Sequence, residues 1–245
     1  MPIVVSYPHS AGTAAPHPLS REALWGVAAQ VRRQLRAPDE PLALDMGRLV
    51  GRSAETLVNG RPVRVAWELA QPVHDDAGLS VLGVCETDPE MPGTALVSVN
   101  GPMVAGRPEL ALSTAAHELG HVLFDVPSAL GEAGRRFRAV TALPEALLDR
   151  HAVLSERRAN EFMGALLVPP VPLHLQMLAH ARDEGLRTVH AAHHGRQGSR
   201  VLARGNPREA VEGVVAALAG DFGVSEGFIR VRLERYRLVQ GGLVS

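Results

Sequence analysis

Strand-like stretches gathered ahead of one long helix, with helices from there to the C-terminus, predict an α+β fold. Three observations carry this. Residues 61–68, 79–86 and 94–100 show the apolar alternation or short apolar runs of strands. Residues 107–124 repeat apolar positions at helical spacing, with Leu112, Ala115, Ala116, Leu119, Val122 and Leu123 in one stripe. Residues 155–168, 173–181, 207–222 and a stretch beginning after Ser225 repeat the helical pattern. The expected layout is a small antiparallel or mixed sheet packed on helices, followed by a helical C-terminal region.

Each element has a local cause. Residues 1–18 are rich in Pro, Ala, Ser and Gly and predict a flexible arm. Ser20 is placed to cap a helix reaching Leu35, with Leu24, Val27, Ala28 and Val31 on its apolar face. Residues 38–41 read as a loop and 42–49 as a short helix. Asn59-Gly60 marks a turn. In 61–68, Val63, Val65 and Trp67 alternate with Arg64, Ala66 and Glu68, the pattern of a half-buried strand. In 94–100, Ala95, Val97 and Val99 form the row expected to be buried. Pro108 and Glu109 suit the first turn of the long helix. Pro127, Gly131, Gly134 and Pro144 break 125–154 into short pieces. Ser155 is the next N-cap, and Pro169-Pro170 stop that helix. These breaks divide the chain into the arm, a domain over 19–170 and a helical region over 171–245. Within the last, 184–206 is polar and rich in Gly, Arg and His, and reads as a mobile loop. Pro207 opens a helix, Gly223 closes it, and Ser225 caps the helix that carries Phe228, Ile229, Leu233 and Tyr236.

Composition narrows the function. A net charge of −1 argues against a protein that wraps a polyanion. No run reaches the length of a membrane span, and residues 1–12 lack the charged and apolar regions of a signal peptide. Cys85, the single cysteine, forbids an internal disulfide and suits a reducing cytosol. The expected location is the cytoplasm.

The chemistry is concentrated in His117-Glu118-Leu119-Gly120-His121. Histidines four apart lie one helical turn apart on one face, where neutral imidazoles ligate a single Zn²⁺. Glu118 then sits beside the metal and its water. Gly120 leaves room for close backbone approach. A catalytic zinc needs a third protein ligand and an open fourth position. Glu156 is the best candidate, because Asn160, four residues on, shares its face and can receive the free N–H of a ligand histidine. Glu132, Glu145, His151, Asp125 and Glu161 are rival ligands. Glu161 is the weaker for lying about 140° round the helix from Glu156. His151 is also weighed as an oxyanion donor, and Arg135, Arg136 and Arg138 as the border of a cleft. His190, His193 and His194 are assigned to a flexible surface. Arg230, Arg232, Arg235 and Arg237 are the residues that phosphate contact would use.

His-Glu-Leu-Gly-His, preceded by Ser113-Thr114-Ala115-Ala116, is followed by Glu156-x-x-Ala159-Asn160-x-Phe162-x-x-x-Leu166-Leu167-x-Pro169. This set resembles the ImmA/IrrE family of zincin-like metallopeptidases. The resemblance covers residues 63–169, with a weaker echo near the C-terminus. It departs from the family pattern at Arg158, Met163 and Val168, none of which is a ligand position. It implies Glu156 as third ligand, Glu118 as catalytic residue, and a zinc ion, with manganese as the alternative. It implies a helix-turn-helix-like tail and an endopeptidase that cuts a helix-turn-helix repressor, derepressing stress or mobile-element genes. It further implies that 94–100 is a sheet edge on which an extended substrate pairs. Direct DNA binding through the C-terminal helix, and a non-proteolytic metal-containing binding protein, are the competing readings. Neither a membrane partner nor an oligomeric state is read from the sequence.

Overall fold

The computed structural model describes residues 2–37, 39–131, 136–141, 149–193 and 196–241. The fold is α+β and divides into two compact units. The first comprises residues 1–38 and 44–166, the second residues 39–43 and 167–245.

In the first unit, β1 (Ile3–Val5) pairs parallel with β2 (Glu55–Val58), so part of the expected arm is a strand. The β-branched run Ile3-Val4-Val5 explains the correction: Ile3 and Val5 bury one face. Helix α1 (Arg21–Leu35) is capped by Ser20, whose hydroxyl accepts from the Ala23 N–H. Helix α2 (Met46–Ser53) begins later than its composition suggests, because Asp45 is the cap that receives the Arg48 N–H. Asn59 and Gly60 take positive φ, 51° and 80°, and turn β2 into β3 (Arg61–Glu68). The chain then places β4 (Gly83–Thr87) and returns as β5 (Thr94–Val99) between β3 and β4. The short helix α3 (Gly101–Val104), capped by Asn100, leads into α4 (Pro108–Phe124), and α5 (Val126–Gly131) follows. Strand β6 (Arg138–Thr141) pairs antiparallel with β4, and α6 (Arg150–Leu167) completes the unit.

The six-stranded sheet has the order β1-β2-β3-β5-β4-β6. Strand β5 is therefore central, hydrogen-bonded to β3 in parallel and to β4 in antiparallel fashion. This overturns the expectation that 94–100 is an edge open to an extended peptide. Both ladders of its backbone are taken, and Ala95, Val97 and Val99 are buried as their alternation predicts. Asn100 is buried as well, its amide donating to the carbonyls of Val73 and Val81. The edge on this side is β6. Its Val140 joins the cluster of Val73, Val81 and Val84 on one face of the sheet. Phe137, Ala139 and Thr141 alternate to the other face, where α4 packs.

From Thr114 to Phe124, α4 is buried on every side, so it is a central helix rather than a two-faced one. The cause is α6, which crosses it closely enough that a Cβ on Gly120 would lie 2.9 Å from Cα of Ala159. Asp149, not Ser155, caps α6 by receiving the Ala152 N–H, so the helix starts a turn earlier than expected. Helix α1 clasps α6 through two buried bonds. The Trp25 indole donates to Glu161 at 2.7 Å, and Arg32 donates to the carbonyl of Leu166 at 2.5 Å.

The second unit is not wholly helical. Helix α7 (Pro170–Asp183) is followed by a hairpin, β7 (Thr188–His193) with β8 (Arg196–Leu202), where a loop is expected. Val201 and Leu202 are buried and supply its hold. Helix α8 (Arg208–Phe222) ends in left-handed Gly223, and Ser225 caps α9 (Glu226–Arg235) through the Phe228 N–H. Arg230 is tied to Glu212 and Glu226. Arg232 is buried beside the rings of Phe228 and Tyr236. No single helix among the described residues is long and apolar enough to cross a membrane.

Replacing Gly120 by Ala tests the α4–α6 crossing. Helix propensity alone favours Ala by about 1 kcal/mol. Overpacking against a backbone atom costs about 1–3 kcal/mol. The expected result is a lower urea midpoint for the metal-free protein, and a midpoint at or above the parental value would show that α6 yields freely.

Candidate metal centre

Helices α4 and α6 bring three donors to one point. Nε2 of His117 and Nε2 of His121 are 3.0 Å apart. Glu156 sets Oε2 3.2 Å from the first and Oε1 3.1 Å from the second. Two ligands of a tetrahedral ion at about 2.1 Å lie about 3.4 Å apart, so these edges are close to that spacing. Among the described residues these three form a group able to hold a metal ion.

The outer nitrogens explain why the inner ones converge. Nδ1–H of His121 donates to Oδ2 of Asp125 at 2.9 Å, and a carboxylate can only accept. Nδ1 of His117 lies 3.2 Å from Oδ1 of Asn160 and donates to it. Each ring therefore turns the lone pair of Nε2 inward. Asp125 is itself held by the Ser155 hydroxyl at 2.7 Å and by Arg158. Burial works to raise the Asp125 carboxyl, but His121, Arg158 and Ser155 outweigh it and hold it low.

Inward lone pairs and a carboxylate at 3 Å repel one another unless a cation sits among them. In the metal-free chain a proton answers this. Burial opposes a charge on His121, but hydrogen bonds to Asp125 and Glu156 prevail and raise it to about 10. Burial also works to raise Glu156, and the two histidines beside it outweigh that and bring it well below the usual carboxylate range. The donor set, two imidazoles and one carboxylate, fits a divalent transition metal.

Glu118 lies beside this point, fully buried. Oε1 accepts the hydroxyl of Thr141, while Oε2 has no partner among the described residues. Burial raises its pKa, and the neighbouring His117 and His121 only partly offset that. A buried carboxylate oxygen left without a donor marks the place of a group that a metal site supplies, a water.

The other weighed residues separate cleanly. Asp125 stands behind His121 rather than at the point of convergence. Glu161 faces α1 and accepts from Trp25. His151 is exposed, about 140° round α6 from Glu156. Arg136 is exposed, while Arg138 pairs with Glu86 and Asp76 along the sheet edge. His190 is exposed on the hairpin, whereas His193 is buried against the ring of His174. Glu132, Arg135, Glu145 and His194 lie outside the described residues. Sequence reasoning passes over Asp125 as an orienting group, although its i+4 spacing from His121 is a usable signal. It has no signal for Thr141 or Gly83, which reach Glu118 through strand pairing.

A helix bearing two histidines and a carboxylate, crossed by a second helix bearing the third donor and backed by a mixed sheet, defines a zincin-like metallopeptidase domain. The family model of the IrrE N-terminal-like domain, Peptidase_M78, matches residues 107–234, and the chain belongs to that family. It is thus a metallopeptidase of the ImmA/IrrE type. Among curated proteins, none matches the chain.

Two outcomes follow from the geometry. Metal uptake must displace the proton on His121, so affinity should rise with pH toward about 10 and fall as pH drops. Calorimetry in buffers of different ionisation enthalpy should detect proton release on binding; no release would contradict the assignment of His121. Asp125→Ala should weaken metal binding about 10–100-fold without touching a donor at the point of convergence. Competition with a chromogenic chelator measures this, and parental affinity would make the His121–Asp125 bond incidental.

Proposed function

We propose that this metallopeptidase is a zinc-dependent endopeptidase. His117, His121 and Glu156 hold the metal, Glu118 is the general base, and Asn160 and Asp125 orient the two imidazoles. Its substrate is a regulatory protein in the cytoplasm, a helix-turn-helix repressor, whose cleavage derepresses stress or mobile-element genes. The substrate class rests on the family. The observation that carries the chemistry is Glu118: a site built only to bind metal has no use for a buried carboxylate with one oxygen unpartnered among the described residues.

When bound, the metal supplies Lewis-acid polarisation of a carbonyl and acidifies water. Oε2 of Glu118 takes a proton from water as its oxygen adds to the peptide carbonyl carbon. It then gives that proton to the amide nitrogen as the C–N bond breaks. Burial raises the carboxyl toward the range in which it both accepts and releases a proton. The bonds donated by His117 to Asn160 and by His121 to Asp125 keep both rings in one tautomer through the cycle. Direct DNA binding finds less support, because Arg230 is paired with acids and Arg232 is buried.

The test uses the zinc-loaded full chain and purified helix-turn-helix repressors of the same organism. Discrete fragments are expected from the parental protein. Glu118→Gln keeps the shape and the metal but cannot accept a proton, so cleavage should fall by about 10²–10⁴. Glu156→Ala should lose the metal. Cleavage by Glu118→Gln at the parental rate would remove the general-base role, and undiminished metal in Glu156→Ala would remove that ligand.

A further inference from the structure

Glu118 is held from the side of the sheet. Thr141, the last residue of β6, gives its hydroxyl hydrogen to Oε1. Opposite Thr141 in the antiparallel register is Gly83. A Cβ on Gly83 would stand 2.5 Å from that same Oε1 and 2.8 Å from Cγ2 of Thr114. One register pair of β4 and β6 therefore makes the seat of the carboxylate. Gly83 leaves the space, and Thr141 places a donor beside it.

The seat is set without Glu118. At the far end of β6, Arg138 donates to Glu86 at 2.9 Å and to the carbonyl of His74 at 2.8 Å. The Phe137 N–H donates to Oγ1 of Thr87 at 3.1 Å, and the Thr87 N–H donates back to the Phe137 carbonyl at 2.9 Å. These bonds fix the register, and alternation then turns Thr141 toward α4. The terminal torsion of a glutamate is broad and roughly two-fold, so an unheld carboxylate rotates. With Oε1 held, Oε2 has one position, and it is the oxygen without a partner among the described residues.

We propose that Thr141 is a positioning residue for the peptidase reaction. Its hydroxyl locks the Glu118 carboxylate so that Oε2 is presented to the reacting water. The inference rests on the reading of Glu118 as general base, and its test separates the two. Val is isosteric with Thr and a good strand former, so Thr141→Val removes the hydroxyl and keeps β6 paired. Thr141→Ser restores the hydroxyl.

The measurements are kcat and KM for repressor cleavage by the zinc-loaded chain, and its affinity for acetohydroxamate by calorimetry. Acetohydroxamate binds as an anion once its proton passes to a nearby carboxylate, so it reads the position of Oε2 without turnover. Thr141→Val should lose about tenfold in kcat with KM and zinc content unchanged, and bind acetohydroxamate about tenfold more weakly. Thr141→Ser should return both values toward the parental ones. Parental kcat and affinity in Thr141→Val, beside an inactive Glu118→Gln, would overturn the role of Thr141 and leave Glu118 as the base. Equal losses in the Val and Ser variants would also overturn it, since a structural defect is not rescued by a hydroxyl. Parental cleavage by Glu118→Gln would end both readings.

Discussion

The approach of α4 to α6 at Gly120 and Ala159 is the constraint on which the centre depends. A helix carries its side chains outward on a fixed radius, so two helices that share a metal must cross at a set distance. With a side chain at position 120, the crossing would widen and Glu156 would draw back from the two histidines. The glycine costs α4 about 1 kcal/mol of propensity relative to alanine. Burial of both helices offsets that: Ala115, Ala116, Leu119, Val122, Leu123, Phe124, Phe162 and Leu166 are all inaccessible.

Around that crossing, His117, His121 and Glu118 are held, directly or through one intermediary, by an element other than their own. Asn160 of α6 steers His117 of α4, and Ser155 and Arg158 of α6 steer Asp125, which steers His121. Thr141 of β6 seats Glu118. Orientation therefore comes from tertiary structure. The ordinary rotamer freedom of a histidine or glutamate is removed at contacts between layers, which is where a reaction that depends on angle needs rigidity.

What is legible in the sequence is what lies within one element. His117 and His121, or Glu156 and Asn160, share a helix face by spacing alone, and the caps at Ser20 and Ser225 act within three residues. The α+β class follows from the same local periodicities. Strand order does not. The chain inserts β5 between β3 and β4, and neither neighbour's identity is written in Thr94–Val99. Strand β6 has four residues and gains its hold from distant partners, so no periodicity announces it. The β7–β8 hairpin is hidden by its own Gly, His and Arg content. Ser155 and Asp149 are both good cap types, and the choice between them is made by Asp125, which recruits the Ser155 hydroxyl. The tie between Trp25 and Glu161 likewise lies beyond any local pattern.

The clasp of α1 onto α6 has a consequence for synthesis. Glu161 and Leu166 are the partners of Trp25 and Arg32, so the first helix of the chain waits for the last helix of its unit. A nascent chain that has exposed α4 carries both histidines and Glu118. It still lacks the third donor, the backbone against which Gly120 packs, and Asn160 as the acceptor for His117. Contacts between such distant segments form late, because a long loop must close first. The point where the three donors converge is thus assembled only once α6 has left the ribosome and folded back on α4 and α1.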